Sequence, residues 1–290
     1  MLISTQTHQM TVMFGIEEGI SRLIDAGYTG LDFSFFGDIS YCGGEHGVAL
    51  AKRLRKTADA RGVVFNQAHA PFGGGYENYT TNLIPKFPDV FDFCSVLGVK
   101  NIIVHPLQNG RYYGRSDELF EKNMEFYKSL VPLSEKTGIK IAIENMWQRH
   151  PVTKHITDDV CADPYELCRY YDTLNDPEHF TVCLDIGHVA LCGREPEDAV
   201  RIIGHDRLGA LHVHDVDYVD DLHTLPGCGK INYYEVARAL GEIDYKGDFT
   251  LESDNFLVRF NKEYAPAAAR FMCETAKHFA AVLDSNRPKK

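Results

Sequence analysis

Residues 101–144 of the chain are NIIVHPLQNGRYYGRSDELFEKNMEFYKSLVPLSEKTGIKIAIE. The stretch opens with an apolar, β-branched run, Asn101–His105, and closes with another, Ile139–Glu144, and such runs are typical of buried strands. Between them, Asp117–Thr137 has the spacing of an amphipathic helix, and Gly138 follows at the point where a helix would end. The pattern predicts a strand–helix–strand unit with two parallel strands.

The same alternation of strand and helix continues on both sides of this unit. Apolar runs predict strands at Leu2–Gln6, Gly30–Phe35, Val63–Gln67, Asn101–His105, Ile139–Glu144, Phe180–Asp185, Leu208–His214 and Asp248–Glu252. Amphipathic stretches predict helices at Ile16–Ala26, Gly47–Arg61, Leu83–Leu97, Asp117–Thr137, Pro164–Tyr171, Pro196–Ile203, Asn232–Leu240 and Ala265–Leu283. Eight units without a linker predict one α/β domain over residues 1–290, a (β/α)8 TIM barrel with a closed, parallel, eight-stranded sheet. A doubly wound open sheet is the main alternative, but the glycine-rich turn that usually follows its first strand is absent.

Composition narrows the classes of protein to consider. A chain of 290 residues that is 44% hydrophobic and 24% charged is typical of a globular domain rather than a disordered or fibrous one. The net charge of −11 repels a phosphate backbone, so we do not expect a nucleic-acid partner. There is no apolar run of membrane-spanning length and no export signal, which predicts no membrane association and a cytoplasmic location. The eight dispersed cysteines, without a CxxC pair, are expected to be buried thiols.

Polar residues follow the predicted strands at their carboxyl ends, where (β/α)8 barrels carry their sites. They are His69, His105, Glu144, Asp185, His188, His212, His214, Asp215, Asp221, His223 and Glu252. Several carboxylates brought together are costly without a cation, so Glu144, Asp185 and Glu252 predict a metal. Three carboxylates with one imidazole suit Mn²⁺, Mg²⁺ or Co²⁺, with Zn²⁺ also tolerated. Ligation by further histidines would instead make a multinuclear zinc site, and both arrangements stay open.

Four segments carry a family resemblance: IAIEN at 141–145, LDIGH at 184–188, HVHD at 212–215 with DLHTLPGCG at 221–229, and TLES at 250–253. Together they resemble the xylose isomerase-like barrel superfamily, which includes sugar-phosphate isomerases and epimerases, ketose 3-epimerases, inosose dehydratase-like proteins and endonuclease IV. The resemblance covers essentially the whole chain. It is specific for the superfamily and does not name a substrate.

The resemblance implies a role for each rim residue. The metal ligands would be Glu144, Asp185, His212 and Glu252, with His214 as the alternative to His212. Glu144 and Glu252 would also be the catalytic acid and base. The implied substrate contacts are His69, His105, His188 and His214, and Asp221 and His223 are possible additional metal ligands.

The activity implied by the resemblance is that of a divalent-metal-dependent isomerase or epimerase acting on a sugar or sugar phosphate. Such an enzyme removes a proton next to a carbonyl, and the metal stabilises the resulting enediolate. One alternative is a lyase or dehydratase that uses the same site on a keto-sugar or cyclitol. The other is a zinc phosphoesterase like endonuclease IV, although the GAHxS-type start of that family is absent. Relatives often form homodimers or homotetramers, so either is an option here, and the sequence leaves the oligomeric state open.

Overall fold

Eight parallel strands form a closed barrel in the computed structural model, which describes residues 1–289. The strands are β1 (Ile3–Thr5), β2 (Gly30–Ser34), β3 (Val64–His69), β4 (Asn101–Val104), β5 (Lys140–Glu144), β6 (Phe180–Asp185), β7 (Leu208–His212) and β8 (Phe249–Leu251). Strands β2 to β7 pair in sequence order, and β1 pairs with β8. Bridges between Gln6 and Asp32 and between Val213 and Leu251 join the two sheets and close the barrel. The predicted fold class is confirmed, while Lys290, the last residue of the predicted domain, lies outside the described residues.

Helices cover the outside of the barrel and part of its rim. The α-helices are His8–Phe14, Ile16–Asp25, Gly44–Asp59, Gly75–Asn78, Phe87–Leu97, Ser116–Thr137, Pro164–Leu174, Ile186–Leu191, Pro196–Ile203, Tyr233–Glu242, Asp254–Val258 and Ala265–Ser285. Short 3₁₀ segments occupy Ser40–Cys42 and Ile84–Lys86, and a π-helical turn occupies Tyr79–Leu83. All eight predicted helices are present. The helix predicted from Leu83 begins at Phe87, where Pro88 lies in the first turn, the position that the fixed φ of proline favours.

Four elements that the sequence did not predict lie directly after barrel strands. Helices His8–Phe14, Ile186–Leu191 and Asp254–Val258 follow β1, β6 and β8. An antiparallel hairpin, Trp147–Arg149 paired with Ile156–Asp158, follows β5, and we call it the rim hairpin. All four shape the carboxyl end of the barrel.

Two apolar layers support this rim. The larger one lies between the strands and the surrounding helices. The smaller one is inside the barrel and consists of Ile103, Ala142, Cys183 and Ala210, each at most 1% exposed. Because alternate residues of a strand face the same side, the residues two positions further along also face inward. They are His105, Glu144, Asp185 and His212, so an apolar floor lies directly beneath these polar side chains.

A bulge brings two of these side chains level with each other. Val182 lies opposite Leu208, but the next residue, Cys183, lies opposite Ala210, so Gly209 is an extra residue in β7. A Cβ at Gly209 would be 2.2 Å from the hydroxyl of Thr181, which explains the glycine. The shift places His212 opposite Asp185.

The cysteines form no disulfide within residues 1–289. Six of the eight are buried and Cys192 is partly buried, as expected, but the expectation of burial is wrong for Cys228, which is exposed in the loop after β7. No helix in the described part of the chain is long and apolar enough to span a membrane.

Candidate metal centre

Four side chains from consecutive strands of the barrel converge at its carboxyl end. Glu144, Asp185 and His212 end β5, β6 and β7, and Glu252 follows β8. One potential ligand atom of each lies within 4.8 Å of those of the others, and all four side chains are buried. The Nδ1 atom of His212 is 2.5 Å from Glu144 Oε1 and 3.2 Å from Glu252 Oε2. We call this group the quartet.

His212 and His214, the two histidines at the end of the seventh strand segment, contact different carboxylates. His212 belongs to the quartet. The Nε2 atom of His214 lies instead 3.0 and 3.1 Å from the two carboxylate oxygens of Asp185. His214 is completely buried and its Nε2 is directed at Asp185, and the substrate contact that the resemblance implied stays a prediction.

A second group, next to the quartet, consists of His188, His214, Asp221 and His223. The rings of His214 and His223 stack with centroids 3.9 Å apart, and His223 Nε2 is 3.1 Å from Asp221 Oδ2. Burial opposes ionisation of Asp221, but the hydrogen bond and charge of His223 lower its pKa to about 2. Burial also lowers the pKa of His223, but Asp221 and the charge of Glu252 outweigh this and raise it to about 10.

A third group, formed by His69, His105 and Glu144, lies on the other side of the quartet. His105 Nε2 is 2.9 Å from Glu144 Oε2 and 3.1 Å from His69 Nε2. Burial and the neighbouring His105 lower the pKa of His69 well below its usual range, so its ring is neutral. Phe72 packs against both rings, with centroids 4.4 Å from His105 and 4.9 Å from His69.

Backbone carbonyls set the orientation of three of these imidazoles. The Nδ1 atoms of His69, His188 and His223 lie 2.8, 2.8 and 2.9 Å from the carbonyl oxygens of Ala70, Asn145 and Glu252. A carbonyl can only accept, so each Nδ1 carries the hydrogen. In a neutral ring this leaves Nε2 with its lone pair, ready to accept a substrate hydroxyl or to bind a metal.

The carboxylates of the quartet differ in their affinity for protons. Burial raises the pKa of Glu144, but His212 and His105 outweigh it and bring the pKa well below its usual range. Burial likewise opposes ionisation of Asp185, and His188 and His214 lower its pKa well below the usual range. At Glu252, burial dominates over His212 and His223, and its pKa lies well above the usual range. Without a metal, the pKa values of Glu144 and Glu252 are thus shifted in opposite directions.

The donor set fits a divalent cation. Glu252 Oε2 and Asp221 Oδ1 are buried without a hydrogen-bond partner among residues 1–289. His212 Nδ1 lies 3.2 Å from Glu252 Oε2 but is closer to Glu144. Buried acceptors without a donor are costly, and a cation shared by three carboxylates and an imidazole would remove that cost. Oxygen-rich sets of this kind suit Mn²⁺, Mg²⁺, Co²⁺ or Zn²⁺.

The three groups open into a cavity of about 230 Å³. Its lining comprises His69, Phe72, His105, Gln108, Glu144, Met146, Trp147, His188, Asp221, His223 and Glu252. Trp147, the only tryptophan of the chain, stands on the rim hairpin and forms one wall. The cavity is smaller than the range of about 300–1,000 Å³ typical of sites for drug-sized ligands, which indicates a small ligand.

A sequence profile described as xylose isomerase-like TIM barrel matches residues 20–275 of the chain. The chain belongs to this family. Among curated proteins, this family member is 29% identical over 170 residues to the uncharacterized protein MJ1311 of Methanocaldococcus jannaschii, a match that covers 58% of this chain and 55% of that protein. It is 24% identical over 212 residues to an inosose isomerase of Bacillus subtilis, covering 71% of this chain and 70% of the other. The chain therefore spans only about half the length of the first of these relatives.

Solved structures share the fold of this xylose isomerase-like barrel over its whole length. A D-tagatose 3-epimerase-like protein superposes with a TM-score of 0.74 at 20% identity, covering 98% of this chain and 99% of the other. The IOLI protein, whose crystal structure contains a zinc atom, superposes with a TM-score of 0.69 at 17% identity and full coverage of both chains.

Several residues around the site were not singled out in the sequence. In this family member, Gln6 donates a hydrogen bond to Glu252, and Asp32 contacts His212. The only signal for Asp32 was a carboxylate inside an otherwise apolar strand, GLDFS. Asp215, which was among the rim candidates, lies in none of the three groups. Its carboxylate accepts four backbone N–H bonds of 2.9–3.0 Å and so shapes the loop that carries Asp221 and His223.

Proposed function

We propose that this protein is a divalent-metal-dependent carbohydrate isomerase or epimerase that moves a proton next to a carbonyl group. The observation that carries the proposal is the quartet, whose three buried carboxylates and one buried imidazole bring potential metal-ligand atoms within 4.8 Å of one another. Glu144 and Glu252 both line the cavity, so two carboxylates can serve as base and acid towards one substrate. The similarity to an inosose isomerase and to a D-tagatose 3-epimerase-like structure supports this class of reaction.

In this proposal Glu144, Asp185, His212 and Glu252 hold the metal. When bound, a divalent cation would supply Lewis-acid polarisation of the substrate carbonyl. Asp185 is the ligand without a catalytic role, because His214 occupies both of its oxygens from behind. The zinc atom in the similar IOLI structure supports a cation of this size and charge.

The proton is moved by the chain's own carboxylates. Glu144, as general base, takes the proton from the carbon next to the carbonyl, and Glu252, as general acid, returns one from the other side. The apolar floor and the rings of Phe72 and Trp147 limit the access of water to this exchange. His69, His105 and His188 line the cavity and would bind substrate hydroxyls.

The test is solvent deuterium exchange. The protein, loaded with Mn²⁺ or Co²⁺ and then freed of excess metal, is incubated with a panel of ketoses and ketose phosphates in D₂O, and loss of the carbon-bound proton is followed by NMR. We expect exchange in the wild type and a loss of at least about 100-fold in Glu144→Gln and Glu252→Gln. Glu263→Gln, which changes an exposed glutamate outside the three groups, is the matched control. Exchange that persists in both site variants would exclude the proposed roles.

A dehydratase would use the same first proton abstraction. A 27% identical match to an inosose dehydratase 2 of Bacillus cereus, over 56% of each chain, supports this variant of the reaction. The same NMR experiment separates the two outcomes, because a dehydratase yields a product that lacks one water, whereas an epimerase yields an isomer. Cyclitol ketones belong in the panel for this reason.

A second candidate function is a multinuclear zinc phosphoesterase. The specific observation in its favour is that the groups His69/His105/Glu144 and His188/His214/Asp221/His223 flank the quartet. The net charge of −11 opposes binding of a nucleic-acid backbone. Zinc content measured by elemental analysis separates the candidates: two to three zinc ions per chain, with cleavage of DNA that contains an abasic site, would support the phosphoesterase. About one ion per chain and no cleavage would exclude it.

A further inference from the structure

Asp32 lies on the far side of the His212 ring from the rest of the quartet. It is completely buried in the middle of β2, and its Oδ2 atom is 3.2 Å from His212 Nε2. The other ring nitrogen, Nδ1, faces Glu144 and Glu252. The imidazole is therefore held between a carboxylate on one side and the proposed ligand group on the other.

Asp32 is itself held in place by two neighbouring strands. Gln67 on β3 donates through Nε2 to Asp32 Oδ2 at 2.8 Å, and Thr250 on β8 donates through its hydroxyl to Gln67 Oε1 at 3.2 Å. A bulge makes this contact possible: Leu31 lies opposite Phe65, and the next residue, Asp32, lies opposite Gln67. The extra residue aligns the Gln67 amide with Asp32 inside the barrel.

The other candidate histidine has no equivalent support. His214 Nδ1 is buried and has no hydrogen-bond partner within residues 1–289. His214 Nε2 is directed at both oxygens of Asp185. His212 therefore has a carboxylate, Asp32, on the ring nitrogen that faces away from the quartet, whereas the second nitrogen of His214 has no partner within residues 1–289. Residue type and spacing do not show this difference.

We propose that Asp32 is a positioning residue that binds the Nε2–H group of His212 and directs Nδ1 into the quartet, so that it sets the metal affinity of the site. The inference rests on the proposed metal-dependent function and deepens it. A carboxylate behind a ligating imidazole fixes the tautomer and plane of the ring and increases the basicity of the ligating nitrogen, and its loss typically lowers metal affinity about 10- to 100-fold.

The experiment measures binding of Zn²⁺ to the metal-free protein by calorimetric competition with a chelator. We expect Asp32→Asn to bind the ion of the quartet about 10- to 100-fold more weakly than the wild type. Asp159→Asn, a buried carboxylate outside the three groups, is the matched control and should bind as the wild type does. Asp185→Asn, which removes a proposed ligand, identifies the quartet as the site that is titrated.

Two further readouts separate positioning from a general structural role. In the zinc-loaded protein with ¹⁵N-labelled histidine, NMR should show His212 bound through Nδ1 and protonated at Nε2, with the Nε2–H resonance shifted in Asp32→Asn. Gln67→Met leaves Asp32 and His212 intact and removes the donor to Asp32 together with the acceptor of the Thr250 hydroxyl, so it should weaken binding several-fold even if Asp32→Asn does not fold.

The outcomes are distinguishable. If the wild type binds zinc and Asp185→Asn does not, but Asp32→Asn and Gln67→Met bind as tightly as the wild type, the role of Asp32 is excluded and the proposed function stands. Zinc bound through His212 Nε2 would also overturn the inference. If the wild type binds no divalent metal, the proposed function fails and the role of Asp32 fails with it.

Discussion

Asn145 and Asp185 are joined by a reciprocal pair of hydrogen bonds between the ends of β5 and β6. Asn145 Nδ2 donates to the carbonyl oxygen of Asp185 at 3.0 Å, and the backbone N–H of Asp185 donates to Asn145 Oδ1 at 2.8 Å. The carbonyl oxygen of Asn145 also accepts from His188 Nδ1 at 2.8 Å. One residue thus connects the quartet with the second group of ligands.

This contact makes Asn145→Ala strongly destabilising. The substitution would leave the N–H and the C=O of Asp185 buried without partners, at a cost of about 1–3 kcal/mol for each group. We expect the free energy of unfolding in urea to fall by about 2–4 kcal/mol, since loss of two buried hydrogen bonds and a small cavity combine. Asn82→Ala, at an exposed position on the same face, should change it by less than about 0.5 kcal/mol. Equal stability of the two variants would show that the hydrogen bonds between Asn145 and Asp185 do not stabilise the fold.

Metal addition should stabilise the wild type and leave a ligand variant unchanged. A ligand that binds only the folded state adds about 2.7 kcal/mol at a free concentration of 100 Kd. We therefore expect Mn²⁺ or Zn²⁺ to raise the melting temperature of the wild type, and a chelator to reverse the change. Glu252→Gln should melt close to the metal-free wild type, because burial disfavours the charge of Glu252 and glutamine is a neutral isostere. A comparable metal-dependent rise in Glu252→Gln would argue against Glu252 as a ligand.

Gly187 leaves room for the ring of His214. A Cβ at this position would lie 2.0 Å from His214 Cε1, closer than any real contact. Gly187→Ala should displace the ring from Asp185 and lower the free energy of unfolding by about 1–3 kcal/mol. Combining it with His214→Ala removes the clash, so the double variant should be more stable than the sum of the single effects predicts. Simple additivity in denaturant unfolding would contradict this explanation.

Asp159 should make stability depend on pH between about 4 and 6. Burial raises the pKa of its carboxyl to about 6, although Gln108 and the N–H of Val160 act in the opposite direction. Between the pKa of the unfolded chain, about 3.9, and that of the folded protein, the folded state binds the additional proton, so stability falls as pH rises through this window. At pH values above this window, the loss of stability approaches about 3 kcal/mol, because each unit of pKa difference corresponds to about 1.4 kcal/mol.

The matching measurement is urea unfolding of the wild type and Asp159→Asn at pH 4, 5, 6 and 7. Asparagine has no charge to bury. The free energy of unfolding of Asp159→Asn should therefore increase relative to that of the wild type as pH rises. A difference between the two proteins that stays constant from pH 4 to pH 7 would exclude an elevated pKa at Asp159.

The barrel and most of its rim could be predicted from local patterns. Strand Phe180–Asp185 and helix Pro196–Ile203 have the bounds that their apolar spacing predicts. Polar residues at strand ends were identified as one site because parallel strands of a barrel end at the same rim, whatever the details of packing. Residue type and order along the chain contain this information.

Only the tertiary structure decided which of these side chains contact each other at the rim. Whether His212 or His214 faces Glu144 depends on three features. They are the extra residue at Gly209, the contact of Asp32 with His212, and the contact of Asp185 with His214. These contacts join residues separated by as many as 180 positions, as in the pair Asp32 and His212. The local sequence determines which residues can form strands and which are polar, whereas register and long-range contacts determine which atoms meet, because a shift of one residue in a strand reverses the face of every side chain.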